Sequence, residues 1–125
     1  MGILTHATVG TNDLDKARAF YDGVMGALGY GRSHDMPHGS VWGQDGSWEF
    51  FALKPRDGEP ATKGNGATVG LMASSAAAVA AAHAKALELG GCCEGPPGPR
   101  DWAPGRHFAY MRDPDGNKLS VSGPA

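Results

Sequence analysis

Five histidines are the residues of this 125-residue chain best suited to proton transfer or metal binding near neutral pH. His6 lies in an alternating, strand-like stretch, where an imidazole can act as a base or bind a divalent cation. His34 and His38 have the spacing of two ligands on one helix face, but Pro37 argues against a helix there. We expect those two histidines at the surface or at the rim of a cavity.

Cys92 and Cys93 are direct neighbours and cannot join distant parts of the chain. They lack the Cys-x-x-Cys spacing of a redox pair, and a disulfide between neighbours would be strained. We interpret both as small buried residues. This cysteine usage is typical of a reducing compartment, so we expect a cytoplasmic protein.

The composition argues against several classes of partner. The chain has 11 basic and 13 acidic residues, a formal net charge of −2, and no run of Lys or Arg, so nucleic acid is not an expected partner. The stretch AAAVAAAHAKALELGG is interrupted by charged residues and does not have the composition of a membrane span. We expect one soluble domain that covers residues 1–125 and has no membrane partner.

The elements that must position these side chains occur twice along the chain. In the first half, GILTHATVGT is strand-like and NDLDKARAFYDGVMGALG carries a helical stripe, with Asn12 or Asp13 as the predicted N-cap and Gly29 as the stop. In the second half, ATVGLMA precedes the strong helix former AAAVAAAHAKALEL, with Ser74 or Ser75 as the cap. Three strand-like pieces follow each helix: YGRSH, SVWGQ and WEFFALK, then CCE, HFAYMR and KLSVS. The pattern predicts two modules of strand, helix and three strands, at about residues 1–56 and 65–125.

The repeat pairs His6 with Thr68. Each lies seven residues before its helix cap when Asp13 is aligned with Ser75. The repeated letters ATVG give a second register that differs by two residues, and both registers leave His6 and Thr68 on equivalent strand faces. Alternation directs the apolar strand residues towards the helices and the small polar set into a concave groove, which is the usual place for a ligand.

The Pro-rich segment GPPGPRDWAPG is predicted to be a flap over the mouth of this groove. Trp102, at the centre of the flap, can either close on a bound molecule or pack the flap against the protein. His107 and Tyr110 lie on the next strand, and His107 can equally be a partly exposed strand residue. We assign His83 to helix packing or to the surface.

Three segments, HATVGTNDLDKARAFYDGVMGALGY, GNGATVGLMASSAAAVAAAHAKALELGG and FAYMRDPDGNKLSV, resemble the vicinal oxygen chelate superfamily. That superfamily includes glyoxalase I, extradiol dioxygenases and bleomycin-resistance proteins, and the turn DPDGN is the most specific part of the match. The resemblance implies an α+β fold in which two βαβββ modules form a cup-shaped mixed sheet, often as a homodimer. It leaves the chemistry open, because one scaffold can carry many reactions.

The resemblance also implies where metal ligands would lie. In metal-using relatives they come from the first, fifth and eighth strands and sometimes from the fourth. His6 matches the first position, whereas Thr68 and Ser120 stand at the second and third, and Glu49 is the fourth-strand candidate with two registers open. Hydroxyl groups stay protonated and are poor ligands for a divalent ion. We therefore expect no cofactor and at most a weakly held divalent metal, with His6 and Glu49 as its only candidate ligands.

The resulting hypothesis is a homodimeric protein of the glyoxalase, bleomycin-resistance and dioxygenase kind that binds a small organic molecule at a degenerate metal site. The candidate cup residues are His6, Thr8, Glu49, Thr68, Trp102, His107, Tyr110 and Ser120. One alternative is a metal-dependent lyase, isomerase or extradiol-type dioxygenase that uses His6 and Glu49. Another is metal-independent acid–base catalysis by His6. The sequence leaves the ligand, and whether the protein is an enzyme, open.

Overall fold

The computed structural model describes residues 2–125, in which two helices and eight strands alternate in two similar series. The elements are β1 Ala7–Gly10, α1 Leu14–Ala27, β2 Gly31–Met36, β3 Gly39–Gly43, β4 Phe50–Leu53, β5 Val69–Met72, α2 Ala76–Glu88, β6 Cys92–Pro99, β7 Arg106–Arg112 and β8 Lys118–Pro124. Neither helix of this part of the chain is long and apolar enough to span a membrane.

The strands form two four-stranded sheets of identical topology. Their orders are β1-β4-β3-β2 and β5-β8-β7-β6. β1 is parallel to β4 and β5 is parallel to β8, whereas the other neighbours are antiparallel. Each sheet with its helix is a βαβββ module, which confirms the predicted fold class and the internal repeat. β1 and β5 are end strands, and within residues 2–125 the two sheets do not join into one.

Both helices begin at the residues that the capping pattern predicts. The Asp13 carboxylate accepts a hydrogen bond from the backbone N–H of Lys16 at 3.1 Å, and Ser75 Oγ accepts one from Ala78 at 3.1 Å. Gly29 follows the end of α1 with a φ of 89°, a left-handed conformation that favours glycine. Asp13 and Ser75 therefore occupy equivalent positions in the two modules, and each is the N-cap of its helix.

Each helix covers one face of its sheet, and the two helices pack against each other. In the first module, Phe20, Tyr21 and Val24 of α1 lie in the same buried core as Trp42 and Phe50. In the second module the buried residues are Val79, Ala82 and Ala86 of α2 with Met111, Leu119 and Val121 of the sheet. The opposite faces of both sheets are left without a helix, so they are available for a ligand or a partner.

The turn between β7 and β8 ties the second module to the first. Buried Asp113 accepts hydrogen bonds from Tyr21 Oη at 2.5 Å and from the side chain of Asn117 at 2.8 Å. The same amide group of Asn117 donates to the backbone oxygen of Gly10 at 2.8 Å. Burial raises the pKa of Asp113, and burial together with the neighbouring Asp113 raises the pKa of Tyr21 well above its usual value. The DPDGN turn is thus a buried polar junction between the modules.

Three details differ from the sequence predictions. β1 is shorter than the predicted strand, and Ile3, which precedes it, is 99% exposed instead of packing under α1. The first part of the predicted flap belongs to β6, which extends to Pro99 with two irregularities in its pairing to β7. Cys92 and Cys93 are exposed and not buried, because β6 is an end strand of its sheet.

Candidate functional site

A cavity of about 380 Å³ lies between β1 and β5, the end strands of the two sheets. Residues 4–7 line one side of it and residues 68–72 the other. Apolar side chains of the core, including Met25, Trp42 and Phe50, also line it. Its volume falls in the range that is typical of sites for small organic molecules.

His6 lies in this cavity, immediately before β1 begins. Its Nδ1 is 2.9 Å from Thr5 Oγ1, and its ring packs on Phe51 with 4.7 Å between ring centroids. Because Nδ1 is engaged by the hydroxyl, Nε2 is the nitrogen left for a ligand. An imidazole held in this way can accept a proton or coordinate an ion.

Glu49 lines the same cavity. It precedes β4, and its backbone oxygen accepts the N–H of Ala7 at 3.0 Å, which places it beside β1. Glu49 Oε2 accepts hydrogen bonds from Ser47 Oγ and, at 2.8 Å, from the backbone N–H of Gln44. These hydrogen bonds, led by that of Ser47, hold the pKa of the carboxyl below its ordinary value. Glu49 is therefore an anion at neutral pH with one oxygen already engaged.

Thr68 lies on the side of the cavity opposite His6, immediately before β5. It brings a hydroxyl to the position that the repeat pairs with the imidazole. Thr8 follows on the next exposed position of β1, opposite Phe51 of β4, and lies outside the residues that line the cavity.

Ser120 lies next to the cavity on the open face of the second sheet, which is the face that no helix covers. It pairs with Gly70 of β5 on one side and with Tyr110 of β7 on the other. Gly70 lines the cavity, and a Cβ atom placed on it would lie 3.2 Å from Ser120 Oγ. A row of paired residues, Gly70, Ser120 and Tyr110, therefore runs from the cavity across the sheet.

Aromatic rings continue this face beyond Tyr110. Phe108 lies in the neighbouring row, and its ring is nearly parallel to that of Tyr110, with 6.2 Å between centroids. Trp102, in the turn after β6, packs on Phe108 at 4.7 Å and remains 65% exposed. The flap residue is thus in contact with the protein and still accessible to a ligand.

Cations surround these rings. Lys118 Nζ lies 5.4 Å from the centre of the Tyr110 ring, and the guanidinium carbon of Arg100 lies 5.9 Å from it. Arg106 donates from Nη2 to Ser122 Oγ at 3.2 Å. None of these three cations takes part in the ion pairs formed within residues 2–125. These three cations of the second sheet therefore have no carboxylate partner within residues 2–125, whereas Arg112 of the same sheet pairs with Glu94.

The other histidines lie elsewhere. His107 pairs with Gly123 and shares a side of β7 with buried Ala109, so it faces away from Tyr110. Successive residues of a strand point to opposite faces, so His107 and Tyr110 cannot both face the cup. Tyr110 lies on the face that no helix covers, whereas His107 lies on the side that faces the core. His34 is exposed and stacks on Trp48 with 4.6 Å between ring centroids.

Several lining residues have no sequence signal. Tyr30 follows the stop of α1, and its hydroxyl donates to the backbone oxygen of Met72 at 2.7 Å across the cavity. Met25 and Trp42 are core residues by pattern and become lining residues only because β1 and β5 are apart. Lys118 could have been found from the sequence, because it lies two residues from Ser120 on one strand face.

The nitrogen and oxygen donors for a metal ion among the side chains that line the cavity are the His6 imidazole, the Glu49 carboxylate and the hydroxyls of Thr5, Tyr30 and Thr68. Across residues 2–125, no group of three or more His, Cys, Asp or Glu side chains is placed to hold a metal ion. This donor set does not match the three basic or anionic ligands of a firmly bound divalent ion.

Comparison with solved structures gives three informative neighbours. A glyoxalase/bleomycin resistance protein from Albidiferax ferrireducens is 38% identical, with a TM-score of 0.89 and coverage of 99% of this chain and 100% of that one. An enzyme of the glyoxalase/bleomycin resistance protein/dioxygenase family from Burkholderia phytofirmans is 17% identical, with a TM-score of 0.74 and coverage of 97% and 98%. A fosfomycin resistance protein from Mesorhizobium loti is 15% identical, with a TM-score of 0.67 and coverage of 100% and 94%. The last two show likeness of fold alone.

A comparison with curated protein sequences gives no match. The sequence profile of the Glyoxalase/Bleomycin resistance protein/Dioxygenase superfamily matches residues 3–121, nearly the whole chain. The profile and the two βαβββ modules agree with each other, and the chain belongs to the glyoxalase/bleomycin resistance protein/dioxygenase superfamily.

Proposed function

We propose that the protein binds a small aromatic molecule with a negatively charged group, at a metal site that has lost two of its ligands. The observation that carries this proposal is the position of the 380 Å³ cavity beside an aromatic, positively charged sheet face, because Gly70 lines the cavity and pairs with Ser120 of that face. The apolar lining would take the body of the ligand, and the cations would take its charge.

The donor set supports binding of an organic molecule over binding of an ion. His6 supplies one imidazole nitrogen and Glu49 one anionic donor, whereas Thr68 adds a protonated hydroxyl. A doubly charged cation needs more compensation than this set provides. A small organic molecule needs only a fitting apolar wall and a few polar contacts.

The charge of the second sheet favours an anion. A carboxylate at position 120 would compensate Lys118, which lies two residues away on the same strand face. Ser120 leaves that positive charge available to a ligand. An ion pair at such a half-exposed position contributes about 1 kcal/mol, which corresponds to about fivefold in affinity.

The proposal can be tested with 8-anilinonaphthalene-1-sulfonate, an aromatic anion whose fluorescence rises in apolar sites. We expect saturable binding to the folded protein, with a Kd about fivefold higher in Lys118→Gln. Lys85→Gln is a matched control, because it removes the same charge from α2, where Lys85 pairs with Glu88 at 3.0 Å. Thermal melts of all three proteins would verify that they are folded.

Two outcomes would contradict the proposal. An equal loss of affinity in both lysine variants would mean that only net charge matters. Absence of saturable binding by the folded wild type would mean that the cavity does not accept an aromatic anion.

A second function is favoured by one observation: His6 and Glu49 line one cavity. They could hold a divalent ion whose remaining ligands come from a substrate, as in a metal-dependent lyase, isomerase or extradiol-type dioxygenase. This alternative predicts metal-dependent turnover that His6→Ala and Glu49→Ala each abolish. Turnover that survives a chelator and is lost in His6→Ala would instead indicate acid–base catalysis by His6.

A further inference from the structure

Outside the cavity, an accessible thiol lies in contact with a buried imidazole. Cys93 Sγ is 3.2 Å from His83 Nε2. We propose that this pair is a site of thiol–disulfide exchange, at which Cys93 reacts with small disulfides and His83 accepts its proton.

The two side chains come from different elements, and the fold holds them together. His83 lies on the sheet-facing side of α2 and is 7% exposed. Cys93 lies on β6, an end strand, and is exposed. The base is therefore fixed by packing, while the sulfur can be reached from solvent. That combination is what a reactive cysteine requires.

The charged residues Lys85 and Glu88 of α2 and Glu94 of β6 form ion pairs of their own, and His83 is the base in contact with this thiol. On α2, Lys85 and Glu88 pair with each other at 3.0 Å. Burial lowers the pKa of His83, which keeps the imidazole neutral and able to accept a proton at neutral pH. On the sheet, Glu94 forms an ion pair with Arg112 of β7.

Cys92 provides an internal reference for the pair. It is exposed like Cys93 and lies on the same strand, but it pairs with Arg112 of β7, whereas Cys93 pairs with Met111 on the core side. Successive strand residues point to opposite faces, so only one of the two thiols reaches α2.

The exchange step balances without another reactant. The Cys93 thiol transfers its proton to His83 Nε2, and the thiolate attacks one sulfur of the disulfide. The disulfide bond breaks as the new S–S bond forms, and the other sulfur leaves as a thiolate that takes the proton back from His83. Cys93 is oxidised and one half of the disulfide is reduced to a thiol.

The test compares two proteins that keep one thiol each. Cys92→Ser retains Cys93, and Cys93→Ser retains Cys92. Both would be mixed with dithiodipyridine, an uncharged aromatic disulfide, and the release of thiopyridone would be followed. We expect Cys93 to react about tenfold faster than Cys92, because a positioned base assists its deprotonation. Mass spectrometry after treatment with glutathione disulfide would locate the mixed disulfide at Cys93.

Two further measurements separate the effect of His83 from simple exposure. His83→Gln in the Cys92→Ser background should bring the rate down to that of Cys92, with a thermal melt to verify folding. The rate of Cys92→Ser in urea gives the reactivity of the same thiol without its base. Equal rates for the two thiols, a rate advantage that survives His83→Gln in a folded protein, or a native rate no higher than the rate in urea would each overturn the proposal.

Discussion

At the scale of single residues, the chemistry of the cavity depends on which donor stands at each position. Thr68 lines the same cavity as His6 and Glu49, and we propose that this position can supply a third ligand. A hydroxyl there does not compensate the charge of a divalent ion, but an imidazole would. We therefore attribute the proposed loss of metal affinity to the residue type at position 68.

Thr68→His should restore tight metal binding. We expect its affinity for Ni²⁺ or Zn²⁺, measured by isothermal titration calorimetry, to exceed that of the wild type by about a hundredfold or more, because a third strong donor joins the first two. Thr68→Val, which adds no donor, should remain as weak as the wild type. Adding His6→Ala to Thr68→His should remove the gain. A stoichiometric ion held by the wild type through His6 would instead favour the metal-dependent alternative.

At the scale of elements, close backbone contacts decide which substitutions the fold tolerates. Gly123 of β8 pairs with β7 and lies against the strand end of β5, where a Cβ atom would be 2.5 Å from the backbone oxygen of Ala73. Gly26 lies on the exposed side of α1, where a Cβ atom would meet nothing within 4 Å. The same change from glycine to alanine should therefore have opposite effects at these two positions.

Gly123→Ala should lower the free energy of unfolding by about 2 kcal/mol, because a methyl group is forced against a backbone carbonyl. Gly26→Ala should raise it by about 0.5–1 kcal/mol, because alanine restricts the unfolded chain and favours helix. Urea unfolding followed by circular dichroism would measure both. A stabilising or neutral Gly123→Ala would show that β5 and β8 are less closely packed than described.

At the scale of the whole molecule, each module has an unpaired strand edge next to exposed apolar side chains, which is unusual for a monomer. β1 and β5 are end strands with one side unpaired within residues 2–125. Large apolar side chains are exposed near them, including Leu4 at 78% and Met72 at 71%, which also line the cavity. Exposed strand edges and apolar patches are features that proteins usually cover. We propose that a second copy of the chain covers them, as is common in this superfamily.

A homodimer should have a mass twice the 12.9 kDa of the chain in light scattering coupled to size-exclusion chromatography. Met72→Lys should shift the protein towards the monomer, because it places a charge on the edge of β5. Leu87→Lys on α2, at a position 41% exposed, should leave the dimer intact. A wild type that is monomeric at high concentration, or a dimer insensitive to Met72→Lys, would contradict this assignment.

Local signals in the sequence determined the modules of this protein. Asp13 and Ser75 mark helix starts because their side chains satisfy free N–H groups of the first turn, and this chemistry is local. When the two caps are aligned, His6 is paired with Thr68, and both residues line one cavity. Ser120 reaches the face next to the cavity because alternation along a strand is also local.

Only the tertiary structure decided what depends on how the elements pack. The separation of β1 from β5 opens a cavity that core residues such as Met25 line, and no local pattern encodes that separation. The exposure of Cys93 and its contact with His83 depend on β6 being an end strand beside α2. The periodicity of a sequence gives the face on which a side chain lies, whereas its neighbours come from residues far away in the chain, which only the packed fold brings together.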